Sequence, residues 1–232
     1  MRCSGMAVVQ ELKRIVEKLT GFGRTRARAL ARLVQPRMPQ LFRFRDDGET
    51  PNNRLPLVVY RGALKLDEAH DPAAVFEETF ACHGWREAWR DGIYDFLHFH
   101  SATHEVLGFA RGKVTIEFGG RRGRTLTLHA GDVAVLPAGI GHRCVTASAD
   151  LLVVGAYPAG GRYDEPKPDE IDYAAALASI AKVKLPRRDP VYGAGGPLIE
   201  QWRKPAPARR RQATGSRRAK ARSARLSRAR RA

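Results

Sequence analysis

Apolar residues recur along this chain with two different periods. In residues 7–19, Val8, Leu12, Ile15 and Leu19 fall at helical spacing, and Gly21 follows as a stop. Thr25 is placed to cap a second short helix that runs through Val34, before Pro36. Residues 38–62 read as extended chain, with turns at Asp46-Asp47-Gly48 and Pro51-Asn52-Asn53. Residues 72–90 read as a helix: Pro72 suits its first turn, and Val75, Phe76, Phe80 and Trp89 supply an apolar side. The period then shortens to two. Strands are expected at 93–100, 105–111, 113–118, 124–129, 132–136, 142–147 and 150–157, with residues 119–123 as a Gly-rich hairpin turn. A helix over 170–182, started by Asp169, follows, and Pro186 ends what comes after it. The pattern is mainly β: a small antiparallel barrel with flanking helices.

Charge divides the chain into three parts. The formal net charge is +17, but residues 203–232 hold 13 Lys and Arg and no acid. Residues 1–37 hold 9 basic residues against 2 acidic ones, so the stretch 38–202 is left at −3. The basic start can serve a membrane surface or a partner, or it can pack as a solvated appendage on the barrel or on a neighbouring subunit. From Lys204 onward the only large apolar residue is Leu226, so the segment cannot offset its ordering entropy and reads as disordered. Its Arg clusters fit weak, nonspecific contact with nucleic acid through phosphate neutralisation, and equally a tail that only solvates the protein. No aromatic residues interleave for base stacking, which argues against sequence-specific reading. No run of about 18 apolar residues occurs, so no membrane span is expected. Cys3, Cys82 and Cys144 are too few for a disulfide framework and point to free thiols in a reducing cytoplasm.

Two stretches carry the chemistry. One is Gly92-x5-His98-x-His100-x4-Glu105-x6-Gly112; the other is Gly131-x5-Pro137-x-Gly139-x2-His142. His98 and His100 are two apart, so a strand would point both to one face. Glu105 opens the next stretch, and His142 arrives from another strand. Three imidazoles and a carboxylate suit one divalent transition metal inside the barrel: Fe(II), Mn, Co, Ni, Cu or Zn. Four such ligands on a six-coordinate ion leave two positions for water, dioxygen or a bidentate substrate. His104 is a rival for the place of His100 or Glu105, but strand alternation turns it outward if Glu105 points inward. His70, His83 and His129 lie outside both motifs and read as surface or structural residues.

These spacings match both halves of the two-part cupin signature, and the chain resembles the cupin superfamily. One departure is that Thr146 stands where the signature closes on Asn. Further stretches resemble the bacterial single-domain cupins of the YjlB-like group: residues 38–48, 51–56, 60–64, 92–100, 154–158, 189–193 and 196–198. The resemblance covers about residues 38–203. It implies a cupin-type double-stranded β-helix, a jelly-roll barrel, preceded by a basic helical extension at 1–37 and followed by the Arg-rich tail at 204–232. It also implies pairing into homodimers. It does not name a reaction, because function lives in the site and not in the fold.

Alternation extends the site to its walls. Tyr94 and Phe96 share the face of His98 and His100, while Leu107, Phe109 and Arg111 share that of Glu105. Cys144 follows His142 by two. An apolar wall around an ion favours a small ligand that carries its own oxygen donors, and Arg111 at the rim could pair with a carboxylate on it. Three functions fit: a dioxygenase-type metal enzyme, a non-redox isomerase or lyase using the ion as Lewis acid, and a binding or sensing module without turnover. Removing residues 204–232 should leave the melting temperature and metal content nearly unchanged, while any retention on nucleic acid falls and loses its salt dependence. A large drop in melting temperature would mean that the tail packs on the domain.

Overall fold

A computed structural model describes residues 4–21, 27–161, 163–167 and 171–204. Nine strands form two sheets, and all pairings are antiparallel. The strands are β1 (Gln40–Phe42), β2 (Leu57–Tyr60), β3 (Trp85–Asp91), β4 (Glu105–Arg111), β5 (Lys113–Phe118), β6 (Arg124–His129), β7 (Val133–Leu136), β8 (His142–Ala147) and β9 (Leu152–Pro158). The larger sheet runs β1-β2-β7-β4-β9-β3 and the smaller β6-β5-β8. The helices are α1 (Ser4–Thr20), α2 (Ala27–Leu33), α3 (Pro72–Cys82), α4 (Tyr173–Ile180) and α5 (Pro197–Arg203). None of the described helices is long and apolar enough to cross a membrane.

Strand alternation sorts the apolar residues into two cores. Leu57, Val59, Leu107, Phe109, Leu136 and Val153 of the larger sheet meet Val114, Ile116, Phe118 and Leu128 of the smaller one. Their sequence neighbours Val58, Tyr60, Val106, Val135 and Val154 face the other way, onto Phe76 and Phe80 of α3 and Leu198 and Trp202 of α5. The central strands of the larger sheet are thus buried on both faces, and β4 is buried at every position from Glu105 to Ala110 for that reason. Helix α3 lies so close to β4 that a Cβ on Gly108 would sit 2.3 Å from the Phe76 ring.

Three expectations need correction. The helix read over 72–90 stops at Cys82: His83 and Gly84 turn, Gly84 at φ +83°, and Trp85–Asp91 is strand β3. A bulge between Arg86 and Trp89, with Glu87 at φ +55°, breaks the alternation that would have revealed this strand. The strand read over 93–100 is not regular; it is extended chain with a bend at 95–96 and one antiparallel bridge, His98 to His142. Helix α4 is capped by Asp172, whose side chain accepts from Ala175 N. Asp169, expected to start it, lies outside the described residues, as do Thr25 and residues 205–232 of the expected disordered tail. Helix α5 was not expected. Its Leu198 N–H donates to the buried Asp189 carboxylate, and Trp202 Nε1 donates to Pro56 O.

Helix α1 is joined to the barrel by charge. Arg90 on β3 is buried and meets Glu17 Oε2 at 2.6 Å, Glu77 Oε1 at 3.0 Å and Asp71 Oδ2 at 3.0 Å. Lys13 meets Asp71 at 2.6 Å and Arg14 meets Glu77 at 3.2 Å. Removing one member of such a buried network leaves the others uncompensated. At the α3–β4 contact, Gly108→Ala should destabilise the domain by about 1–3 kcal/mol through overpacking. Phe76→Leu in the same chain should recover part of that in a thermal melt. An unchanged melting temperature for Gly108→Ala would contradict the packing described.

Candidate metal centre

The centre forms where an irregular segment is pinned to a regular strand. His98 N–H donates to His142 O at 3.2 Å, and His142 N–H donates to His98 O at 2.9 Å. This exchange sets the two rings 4.1 Å apart, centroid to centroid. His100 sits 5.8 Å from each of them by the same measure. One nitrogen from each of the three rings lies within 4.8 Å of the others. Glu105, at the start of β4, adds a carboxylate whose Oε2 is 3.3 Å from His100 Nε2 and 3.5 Å from His142 Nε2. All four residues are buried, none more than 5% exposed.

Backbone carbonyls decide which nitrogen of each ring is free. Nδ1 of His98 faces Phe96 O at 3.2 Å, Nδ1 of His142 faces Ile140 O at 3.2 Å, and Nδ1 of His100 faces Asp164 O. A carbonyl only accepts, so each Nδ1 carries a proton, and in the neutral form of each ring Nε2 is the nitrogen left with a lone pair. Asp164 holds its own place by accepting from Ser101 N and Ala102 N, at 3.0 Å each, and from Ser101 Oγ at 2.5 Å. His100 Nε2 and Glu105 Oε2 are buried without a hydrogen-bond partner. Orphaned, water-excluded donor atoms aimed at one another are what a cation would satisfy.

The electrostatics separate the three rings. Burial, together with the neighbouring imidazoles, holds His142 well below the ordinary histidine range. Burial also lowers His98, and His100 adds to that. Burial would lower His100 too, but the Glu105 charge outweighs it and raises His100 to about 9.

The expected wall residues divide. Tyr94 lies 5.1 Å from the His98 ring and Phe96 lies 5.5 Å from it, and the two stack on each other at 4.5 Å. Phe109 is inside the barrel core with Leu107. Cys144 is half-buried against that core, its N–H donates to Tyr94 O at 2.7 Å, and burial pushes its thiol up. Arg111 is the exception. A bulge between Phe109 and Arg111 pairs Arg111 with outward-facing Leu152, and its guanidinium meets Asp71 at 3.6 Å on the helix side. The one-residue slip reverses its face, so Arg111 does not reach the barrel interior.

His104 is outside the constellation, as alternation required. It is buried, packs 4.7 Å from the Trp202 ring, and accepts from Ala138 N. Burial lowers it to about 4. A cleft of about 730 Å³ borders it on the outside of the barrel, lined also by residues 158–161 and 182–188, and contains none of the four central residues.

Two tyrosines join the site that no motif marked. Tyr157 on β9 lies 5.9 Å from the His100 ring, and its hydroxyl oxygen accepts from Trp89 Nε1 at 2.9 Å. Burial, and then Glu105, raise it far above the ordinary tyrosine range, so it stays a neutral phenol. Tyr163 lies 5.4 Å from His100 and 5.3 Å from Tyr157. Inward parity on β9 could have suggested Tyr157; nothing local could have placed Tyr163.

The raised His100 has a pH signature. A folded pKa above the unfolded one stabilises fully below about 6.5 and loses that contribution as pH rises through about 9. His98 and His142 have lowered values, so their contribution is present above about 6.5 and is lost only at more acid pH. Metal-free protein should therefore lose up to about 3 kcal/mol between pH 6.5 and 9. Glu105→Gln should remove most of that slope in urea unfolding curves, and an identical slope in the variant would refute the pairing.

No protein-family model matches the chain. The uncharacterized protein YjlB of Bacillus subtilis strain 168 is 40% identical over 169 residues, which are 72% of this chain and 98% of YjlB. Among solved structures, the chain is similar to Lactobacillus farciminis oxalate decarboxylase in its formate complex, at 22% identity and TM-score 0.29, over 34% of this chain and 25% of that one. It thus spans about a quarter of that enzyme's length. Acireductone dioxygenase from Bacillus anthracis, with a cadmium ion in its active centre, is 17% identical at TM-score 0.31, over 42% of this chain and 71% of that one. Likenesses of this extent say nothing about activity. YjlB is matched over nearly its whole length, and the chain carries both motif spacings on a two-sheet antiparallel barrel; it belongs to the YjlB family of cupin-fold proteins.

Proposed function

We infer that this protein holds one divalent transition-metal ion through His98, His100, Glu105 and His142 and uses it in a dioxygenase-type reaction on a small molecule with oxygen donors. The observation that carries the reading is the cluster of three buried imidazoles, one nitrogen of each within 4.8 Å of the others, with the Glu105 carboxylate 3.3 Å from His100 Nε2 and 3.5 Å from His142 Nε2. Three nitrogens and one oxygen make a mixed donor set that suits Fe(II), Mn, Co, Ni, Cu or Zn. When bound, the ion supplies a Lewis acid or a redox centre.

The chain's own residues do the rest. Carbonyls of Phe96, Ile140 and Asp164 orient the imidazoles, so little reorganises when a cation arrives. Glu105 cancels part of the cation's charge. Tyr94 and Phe96 pack against the His98 ring, and Lys167 stands over the Phe96 ring at 5.0 Å.

A second reading, non-redox isomerase or lyase chemistry, is favoured by Tyr157. It is a neutral phenol beside His100 and Glu105, fixed by Trp89, and is placed to hold or return a proton.

Protein purified without a metal-binding tag should contain about one equivalent of transition metal per chain by elemental analysis. The double substitution His100→Ala/His142→Ala should contain none, and retention of a full equivalent after dialysis against a weak chelator would sink the ligand assignment. Oxygen uptake that depends on Fe(II) would support the dioxygenase reading. Turnover without oxygen, reduced at least tenfold by Tyr157→Phe, would replace it with the second, and ligand binding without turnover would leave a binding module.

A further inference from the structure

Helix α1 is turned inside out. Its polar side, Lys13, Arg14 and Glu17, faces the barrel and is held by Asp71, Glu77 and Arg90. Its apolar side faces solvent. Val8, Val9, Leu12, Ile15, Val16 and Leu19 are each 45–81% exposed. These positions step by four, three and four from Val8 through Leu12 and Ile15 to Leu19, the a/d spacing of a helix that packs on another helix. On the order of 600 Å² of apolar surface is involved, the top of the range for one patch on a monomer. Residues 205–232 carry one large apolar side chain, Leu226, and so offer no matching apolar stripe in their sequence.

The residues flanking the stripe name the occupant. With Leu12 and Leu19 at a and Val8 and Ile15 at d, Glu11 and Lys18 take the g positions, and Val9 and Val16 the e positions. In an antiparallel pair, a packs against d, g faces g and e faces e. Leu12 then meets Ile15 of the second helix, and Val8 meets Leu19. In that same register Glu11 faces Lys18 across one flank, twice by symmetry, and Val9 faces Val16 across the other. A parallel pair would set Glu11 against Val16 and would not bring Lys18 to it. In the single chain Glu11 is within 3.2 Å of Arg14, an exposed contact that leaves it free to share. A membrane surface fits less well, because the stripe is flanked by one acid and one base and not by bases alone.

We propose that α1 is a dimerisation helix: two copies of this chain pair through antiparallel α1 helices about a two-fold axis. The pair buries roughly 1,200 Å², the lower bound of a specific interface. It places the two barrels on either side of a two-helix seam, with each barrel's charged network behind its own helix.

The test is the molar mass of the full-length, metal-loaded protein by light scattering and sedimentation. The wild type should run at twice the 25.7 kDa chain mass. Leu12→Glu/Ile15→Glu should halve that mass with an unchanged circular dichroism spectrum and metal content, since both side chains are exposed. Glu11→Lys should weaken the dimer at least tenfold at low salt, and adding Lys18→Glu should restore it, which only the antiparallel register allows. A monomeric wild type would overturn the proposal, as would a dimer indifferent to Leu12→Glu/Ile15→Glu. So would a dimer whose Glu11→Lys loss is not rescued, or a monomer that instead binds phosphatidylserine vesicles through α1.

Discussion

The antiparallel exchange between His98 and His142 is the contact on which the site depends. It consists of two backbone hydrogen bonds, 3.2 and 2.9 Å long, outside any regular strand on the His98 side. Through it an irregular stretch of chain gains the alternation of a strand for just the residues that need it. His98 and His100 then project to the same side, and Glu105 at the start of β4 closes the group. Because the exchange uses backbone atoms, the imidazoles are spared for other work, and their Nδ1 atoms go to carbonyls.

Burial then constrains the chemistry. A carboxylate and three imidazoles this far from water must neutralise one another or a guest. Without a guest, a proton on His100 serves, which is why His100 is raised while His98 and His142 are lowered. The same constraint acts on the outer face. Arg90 is buried among three carboxylates, and Lys13 and Arg14 complete the balance from α1. One core carries its buried charge for a site, and the other carries it for an attachment.

That attachment reverses the usual orientation of a surface helix. An amphipathic helix lays its apolar stripe on the core. Here the larger sheet's outer face is already covered by α3, α5 and Leu30 and Leu33 of α2, and α1 reaches the domain through charge instead. Its apolar stripe is left for another surface.

The sequence by itself determined the barrel, six of whose strands follow a two-residue period or end at a turn, and its two motif spacings singled out the four residues that the fold brings together. It determined that His104 lies outside the group, because adjacent strand residues face opposite ways. It also showed α1 as amphipathic, but not which way the stripe would turn. Tertiary structure decided the rest. The bulges at Arg86–Trp89 and Phe109–Arg111 shift parity by one, hiding β3 and reversing Arg111, and no local pattern announces a bulge. Asp164 and Tyr163 reach His100 from 63 or more residues away through a loop without periodicity. Periodicity reports which side of its own element a residue occupies. Which element lies on that side depends on packing among distant segments, and that is where Tyr157, Asp164 and the exposed face of α1 were settled.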